Sequence, residues 1–425
     1  MEQLQKAIIV GVKLQHQEDF DTSLMELAEL AKACDVEVVG EVVQNLDHIQ
    51  ASHYIGKGKV NEVLRQIDEQ DANLVIFNDE LSPTQIRNLE ADLNCKVIDR
   101  TILILDIFAQ RAQTKEAQLQ VTVAQLQYML PRLVGLRKSL GRQSGGVGTR
   151  NKGIGEKKLE LDRRKIEEQI NRLNKELKLL VSQRQTQRKQ RKKSGIPVVS
   201  LVGYTNAGKS TIMNAIVEHS QHTPAKQVFE KDMLFATLET VIRKVQLADN
   251  KSFLLTDTVG FVNKLPHHLV KAFRSTLEEV KEADLLIHVV DFSSPNYRQM
   301  IEVTNRVLKE IGVEDVPVIY VYNKADMIDF TIPLVQNNAV TLSAQKRVGI
   351  EELLQLIQEE IFKDFQQYEL LIPYEQDRLL ASLKQDAHIL ETAYEDNGAK
   401  VIVECNPSDA KKYQPYEIDK NNILL

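Results

Sequence analysis

Residues Gly203-Tyr204-Thr205-Asn206-Ala207-Gly208-Lys209-Ser210 carry the spacing of a phosphate-binding loop: two glycines five positions apart, then a lysine and a hydroxyl. Glycines let successive backbone N–H groups curl around one anion. The lysine brings a point charge to the outer phosphates, and the hydroxyl offers a hard oxygen to Mg2+. The stretch PVVSLV before the loop reads as a buried strand and the residues from Thr211 onward as a helix, the context in which this spacing has chemical meaning. Residues 203 to 211 are therefore read as nucleotide-binding, with Lys209 also catalytic because it offsets charge on the β and γ oxygens during phosphoryl transfer.

Three later stretches fall in the order that a phosphate-loop GTPase requires. FLLTDTVGF, residues 253–261, reads as a strand ending in Asp257-Thr-Val-Gly260. Asp257 there would hold a Mg2+-bound water, and the Gly260 N–H would meet the γ-phosphate. PVIYVYNKAD, residues 317–326, ends in Asn323-Lys324-Ala325-Asp326. The Asp326 carboxylate accepts two hydrogen bonds from guanine N1 and N2, which adenine cannot donate. Ser343 and Ala344 in VTLSA supply the remaining turn at the base. Phe235 and Thr237 in LFATLE lie where a switch loop would complete the Mg2+ shell through Thr237 when a γ-phosphate is present. The predicted metal set is thus Ser210, Thr237 and, through water, Asp257. Many GTPases place a glutamine after the glycine of the second motif to orient the attacking water. Here Phe261 stands there, which predicts slow intrinsic turnover. Asn206 occupies a place where an asparagine oxygen helps related GTPases bind a monovalent cation, so K+ joins Mg2+ as an expected cofactor.

The elements that must position these residues form an α/β multidomain chain. Residues 1–112 alternate apolar runs with amphipathic segments: KAIIVGVKL, a helix near Thr22–Cys34, VEVVGEVVQ, a helix near Gly58–Glu69, NLVIFND, a helix from Ser82, and CKVIDR. This predicts an N-terminal α/β domain. Within it, Ile55-Gly56-Lys57-Gly58-Lys59 reads either as a second anion-binding turn or as a loop capping the next helix. Residues 113–193 predict an antiparallel two-helix coiled-coil hairpin. Leu119, Val123, Leu126, Leu130, Leu133, Leu136 and Leu140 form one near-heptad seam, and Leu159, Ile166, Ile170, Leu173, Leu177 and Leu180 the other. Pro131 should kink the first arm. The glycine- and arginine-rich connection, residues 141–155, would be its tip. Residues 194–365 are assigned to a Ras-like phosphate-loop GTPase domain, and residues 366–425 to a small C-terminal α+β domain with a helix over RLLASLKQDAHILE and a strand over AKVIVECN.

Charge is distributed to match. The 425 residues hold 54 Lys plus Arg and 60 Asp plus Glu, a net −6. Between Arg132 and Lys193, however, 20 basic residues face 6 acidic ones. Such segregation suggests one element made for a polyanion on a body that would repel it. Arg137, Lys138, Arg142, Arg150, Lys152, Arg163 and Arg164, around the tip, are the expected RNA contacts; a solvated charged coiled coil is the alternative for basic residues farther down. Cys34, Cys95 and Cys405 lie far apart, which argues against a disulfide framework or a zinc site and fits a reducing compartment. The amino-terminal stretch lacks a secretion signal, and no apolar run is long enough to span a membrane.

With those residues in view, the chain resembles the HflX-type family of translational GTPases, over about residues 55 to 360. The resemblance rests on IGKGKV, ELSPTQIRNLE, VIDRTILILDIFAQRAQTKEAQLQV, LQYMLPRLVG, SGGVGTR, the DRR at 162–164, GYTNAGKST, LFATLE and DTVGFVNKLPHHLVKAFRSTLEE. It implies a cytoplasmic, monomeric factor, with peripheral membrane association, that cycles between GTP and GDP. It also implies binding to the large ribosomal subunit and splitting of ribosomes under stress, the hairpin tip reaching ribosomal RNA near the peptidyl transferase centre. Ribosomal proteins are further implied partners, and a secondary ATPase activity is implied for the N-terminal domain. Two departures stand out. Glu239-Thr240-Val241-Ile242 replaces the family's Asp-Pro-Thr-Thr, and Ala325 stands where the family carries a bulkier residue. A large-subunit assembly GTPase and an ATP-dependent RNA remodeller built on residues 1–112 are the competing readings.

Overall fold

A computed structural model of the chain describes residues 5–15, 19–140, 152–193, 195–220, 235, 240–247, 251–264, 279–376, 379–380, 383, 388–411 and 413–418. The chain forms two compact units. The first comprises Met1–Gln185, Lys231–Glu239 and Val259–Leu277; the second comprises Thr186–Glu230, Thr240–Thr258 and Glu278–Leu425.

In the first unit β1 (Gln5–Leu14), α1 (Phe20–Ala33), β2 (Val36–Leu46), α2 (Lys57–Gln70), β3 (Leu74–Phe77), α3 (Pro83–Leu93), β4 (Lys96–Asp99) and α4 (Arg100–Arg111) alternate as the apolar runs predict. The four strands pair in the order β2-β1-β3-β4, all parallel. A parallel sheet needs both faces covered, and the alternation of β1 supplies two cores. Ala7 and Ile9 pack with Leu27, Ile76 and Ile104 on one face. Ile8, Val10 and Val12 pack with Val63, Phe77 and Leu89 on the other. Local capping sets the helix starts: Ser82 and Gln85 close a capping box with Pro83 in the first turn of α3, and the Asp99 side chain accepts from Ile102 N at 3.0 Å. The glycine–lysine turn at 55–59 opens α2. Gly56 caps α2, its N–H bonded to Gln44 Oε1 at 2.9 Å, and Lys59 pairs with Glu62 at 2.8 Å.

The hairpin arms are α5 (Lys115–Leu140) and α6 (Lys152–Lys193). Leu119, Val123, Leu126 and Leu130 of α5 meet Ile166, Ile170, Leu173, Leu177 and Leu180 of α6 along the expected seam, and Arg184 pairs with Glu116 at 2.8 Å. Helix α5 runs on through Pro131. It also buries a second face that the seam did not announce: Ala117, Val121, Ala124 and Tyr128 enter the α1–α4 core, and Tyr128 donates to Asp99.

The second unit is built on a seven-stranded sheet. Its strands are β5 (Val198–Gly203), β6 (Val241–Gln246), β7 (Ser252–Asp257), β8 (Leu285–Asp291), β9 (Val318–Asn323), β10 (Leu334–Gln336) and β11 (Ala339–Thr341). They lie in the order β10-β11-β9-β8-β5-β7-β6, with β6 and β10 the antiparallel edges. Helices α7 (Lys209–Ser220), α8 (Tyr297–Glu310) and α9 (Ile350–Ile361) accompany the sheet. A three-stranded antiparallel sheet of β12 (Gln366–Ile372), β13 (His388–Glu395) and β14 (Gly398–Cys405) follows, in the order β12-β14-β13. Here one expectation is corrected. The helix read over 378–391 does not extend to Glu391, because His388 begins a strand. Ile389 pairs with Val403 across that strand, and cross-strand packing overrides the local helical pattern. No described helix is long and apolar enough to cross a membrane.

Candidate functional site

The carboxyl ends of β5, β7 and β9 bring the phosphate loop, Asp257 and the 323–326 turn together, where an open α/β sheet holds its ligands. Backbone geometry explains the glycines. Gly203 has φ 145° and a Cβ there would lie 2.2 Å from Val289 O; Gly208 has φ 94° and a Cβ there would lie 2.2 Å from Asn323 Nδ2. Between them Asn206 is exposed at φ 59°, while Thr205 and Ala207 are buried.

Helix α7 starts at Lys209, so its first N–H groups and the positive end of its dipole face the loop. Lys209 is buried, and its Nζ donates to Gly203 O at 3.1 Å and Tyr204 O at 2.8 Å. Burial lowers its pKa to about 8, opposed by the charge of Asp257. Beneath the loop, His288 on β8 is wholly buried and held neutral, its pKa lowered to about 4 by burial and then by Lys209.

Ser210 Oγ donates to Asp257 Oδ2 at 2.6 Å, and the Asp257 side chain is fully buried at the end of β7. A hydroxyl and a carboxylate converging in this way suit a hard cation that retains several waters. Among the described residues there is no cluster of three His, Cys, Asp or Glu that would hold a different metal. Thr258 Oγ1 donates to Leu201 O at 2.7 Å, tying β7 to β5 just after the carboxylate.

Asn323 ties the 323–326 turn and the Ser343–Ala344 turn to the phosphate loop. Asn323 Nδ2 donates to Ala207 O at 2.9 Å, and its Oδ1 accepts from Ala344 N at 3.0 Å. Lys324, at φ 62°, pairs with Asp291 at 2.7 Å. Lys346 lies 3.4 Å from the Asp326 carboxylate. Burial pushes that carboxyl up, but hydrogen bonds from Ser343 and Lys346 outweigh it and leave the pKa lowered, so Asp326 is an acceptor at neutral pH. Ser343 exchanges backbone bonds with Val348, both at 3.1 Å, which closes the final turn.

The second unit therefore unites Gly203 through Thr211 with Asp257, Asn323, Lys324, Asp326, Ser343 and Ala344. The other predicted contacts are not among the described residues of that unit. Thr237 lies outside the described residues. Phe235 and Gly260 belong to the first unit. There Phe235, at φ 55°, is buried against Phe108, ring centroids 4.6 Å apart, and Val259 and Val262 join the same core. Asn263 donates to Asp19 at 2.8 Å and Lys264 pairs with Asp79 at 2.5 Å. Of the expected RNA contacts, Arg137 and Lys138 lie on α5 and Lys152 opens α6, while Arg142 and Arg150 fall outside the described residues. Arg163 and Arg164 are exposed on α6, Arg163 paired with Glu167 at 2.8 Å. His288, Thr258, Lys346 and Arg347 were not anticipated. His288, Lys346 and Arg347 belong to no short motif, and Thr258, although inside Asp257-Thr-Val-Gly260, bonds a strand 57 residues away.

Comparison with known proteins matches three family descriptions along the chain: a GTP-binding GTPase N-terminal region over residues 21–109, a GTP-binding GTPase middle region over 111–191, and a 50S ribosome-binding GTPase over 198–324. A GTPase HflX of Caldanaerobacter subterraneus is 46% identical over 400 residues, 94% of this chain and 91% of that protein. A GTPase HflX of Escherichia coli is 39% identical over 401 residues, 93% of this chain and 92% of that one. A solved GTP-binding protein of Sulfolobus solfataricus in complex with GDP is 23% identical, with a TM-score of 0.44, over 84% of this chain and 98% of that one.

Proposed function

Because this chain belongs to the HflX family of GTPases, we propose that its hydrolysis of GTP governs binding to the large ribosomal subunit and the splitting of ribosomes. The observation that carries this reading is the hairpin. Two helices of 26 and 42 residues are fastened along an apolar seam, and the Arg132–Lys193 segment they share holds 20 basic residues against 6 acidic ones. At 1.5 Å per residue the longer arm extends about 60 Å, enough to carry guanidinium and ammonium groups deep into folded RNA. Apolar packing fixes the arm, and its charge supplies affinity without sequence reading.

In the nucleotide site Lys209 would lie against the β and γ phosphates, and the α7 N–H groups would surround them. Ser210 and Asp257 would hold Mg2+, directly and through water, and that ion would supply charge neutralisation at the phosphate oxygens. Asp326 would accept from guanine N1 and N2, with Ser343 and Ala344 lining the base.

The test is to add purified protein with a non-hydrolysable GTP analogue to whole ribosomes and sediment them. The expected result is conversion of ribosomes to free subunits, with the protein on the large one. GTP hydrolysis should also rise when purified large subunits are added, since Phe261 offers no hydrogen bond to an attacking water. Intact ribosomes together with an unchanged hydrolysis rate would overturn the proposal. Binding to large subunits without splitting would instead favour an assembly role.

Asn206, exposed at the left-handed crest of the phosphate loop, is proposed to bind K+ beside the transferring phosphate. Replacing K+ by Na+ at constant ionic strength should then slow hydrolysis severalfold, and Asn206→Ala should erase the difference. Equal rates in the two salts would remove K+ from the mechanism.

A further inference from the structure

The base-contacting turn contains a residue that no nucleotide motif includes. Arg347 sits inside the turn closed by Ser343 and Val348, at φ 59°, a left-handed conformation that a long side chain adopts only when its surroundings hold it there. Its side chain is fixed by three polar contacts. Nη1 donates to Ala344 O at 2.6 Å, Nε donates to Glu218 Oε2 at 2.9 Å, and Nη2 lies 2.7 Å from the same oxygen. Glu218 is in the last turn of α7, the helix that begins with Lys209 and Ser210.

We infer that Arg347 is a positioning residue for guanine recognition, clamping the base-contacting turn to the far end of the phosphate-binding helix. This rests on the reading of Asp326, Ser343 and Ala344 as the base contacts. Ala344 is gripped on both sides: its N–H donates to Asn323, and its carbonyl accepts from Arg347. Asn323 in turn reaches Ala207 of the phosphate loop. Base turn and phosphate loop are thereby joined twice, once through Asn323 beneath the nucleotide and once through Arg347 and Glu218 at the end of α7. Only while both joints hold are the base contacts and the phosphate contacts set at the separation that one nucleotide spans. Loosening the second joint leaves every contact available but costs the preorganisation that lets all of them form together.

Guanidinium is the group this task requires. Its fixed fork serves the Ala344 carbonyl and the Glu218 carboxylate at the same time, whereas a lysine ammonium is a single flexible point. Both partners are about two-fifths exposed, so the clamp is modest and screened by salt.

The test is the release rate of a fluorescent GDP analogue from the full-length protein. Arg347→Ala should release it about fivefold faster, Arg347→Lys should not rescue it, and Glu218→Ala should match. The double variant should be no worse than either single one, because both changes break the same link. Hydrolysis per bound GTP at saturation and the melting temperature of the nucleotide-free protein should stay at parental values. A purely structural role would lower both, and would be eased by lysine. Parental release from Arg347→Ala overturns the inference, as do additive effects of the two substitutions. The reading beneath it is checked separately by Asp326→Asn. If that variant loses guanine affinity while Arg347→Ala behaves as the parent, only the clamp is wrong; if it keeps guanine affinity, both fall.

Discussion

Asp326→Asn is expected to abolish GTP hydrolysis at ordinary concentrations and to restore it with xanthosine triphosphate. The argument is one of unpaired donors. In the proposed site guanine would present N1–H and the N2 amine toward Asp326, and a carboxylate with a lowered pKa would accept both. Asparagine presents one acceptor and one donor, so its amide hydrogens would face the N2 amine across a desolvated contact. Sites that recognise a base by buried polar pairs reject the mismatched partner by about 10⁴-fold. Xanthine carries a carbonyl in place of the amine, and that oxygen accepts what asparagine donates. Steady-state rates with the two triphosphates therefore check the assignment in a single experiment. The substitution leaves Asn323 and its bonds to Ala207 and Ala344 intact, so its effect should fall on base choice and not on folding. Equal use of GTP by variant and parent would dismiss Asp326 as the base reader.

The parts of this molecule that were legible in the sequence are those where a local backbone or packing demand selects a residue type. Gly203 and Gly208 could be read because positive φ and a close approach exclude a Cβ. The β1 run and the hairpin seam could be read because burial on a strand or between two helices imposes a period. What the periodicity could not convey is the identity of a distant partner. The atom that crowds Gly208 belongs to Asn323, and Arg347 finds Glu218 across 129 residues. The second buried face of α5 escaped because half of it is alanine, Ala117 and Ala124, which weighs little in an apolar pattern. The strand at His388–Glu395 escaped because an isolated pattern reads as helix until Val401 and Val403 pair with it. The same limit hides the membership of Phe235, Val259 and Val262 in the N-terminal core. Phe235 reads as a nucleotide contact and Val259 and Val262 as ordinary residues at the second motif, and only long-range contacts reveal that they are built into a core with Phe108.

Lys209→Met should lower kcat/KM for GTP by about 10²–10³-fold without destabilising the nucleotide-free protein. Lysine and methionine are similar unbranched chains, so the packing volume is kept while the charge is removed. The stability half of this expectation follows from the direction of the pKa shift. Burial lowers the Lys209 pKa from 10.5 to about 8. Below about pH 8 both folded and unfolded chains carry the proton, and the folded one bears the cost of burying it. As pH rises from about 8 toward 10.5 the unfolded chain holds more protons than the folded one, so that cost is progressively relieved and stability rises. Methionine removes the cost at every pH, against the loss of two hydrogen bonds to Gly203 O and Tyr204 O. Bound phosphates work in the opposite sense. Their negative charge favours the ammonium and raises the lysine pKa, so nucleotide binding takes up a proton once the free protein has begun to lose it. Affinity for GDP should accordingly be flat up to about pH 8 and fall above it, by at most tenfold per pH unit. Lys209→Arg, whose charge does not titrate in this range, should show no such fall from the lysine. Calorimetric binding across pH 7 to 9, together with melting curves of the free proteins, separates the outcomes. A parental pH profile in Lys209→Arg, or a Lys209→Met protein that hydrolyses GTP at the parental rate, would show that the buried ammonium does not meet the phosphates.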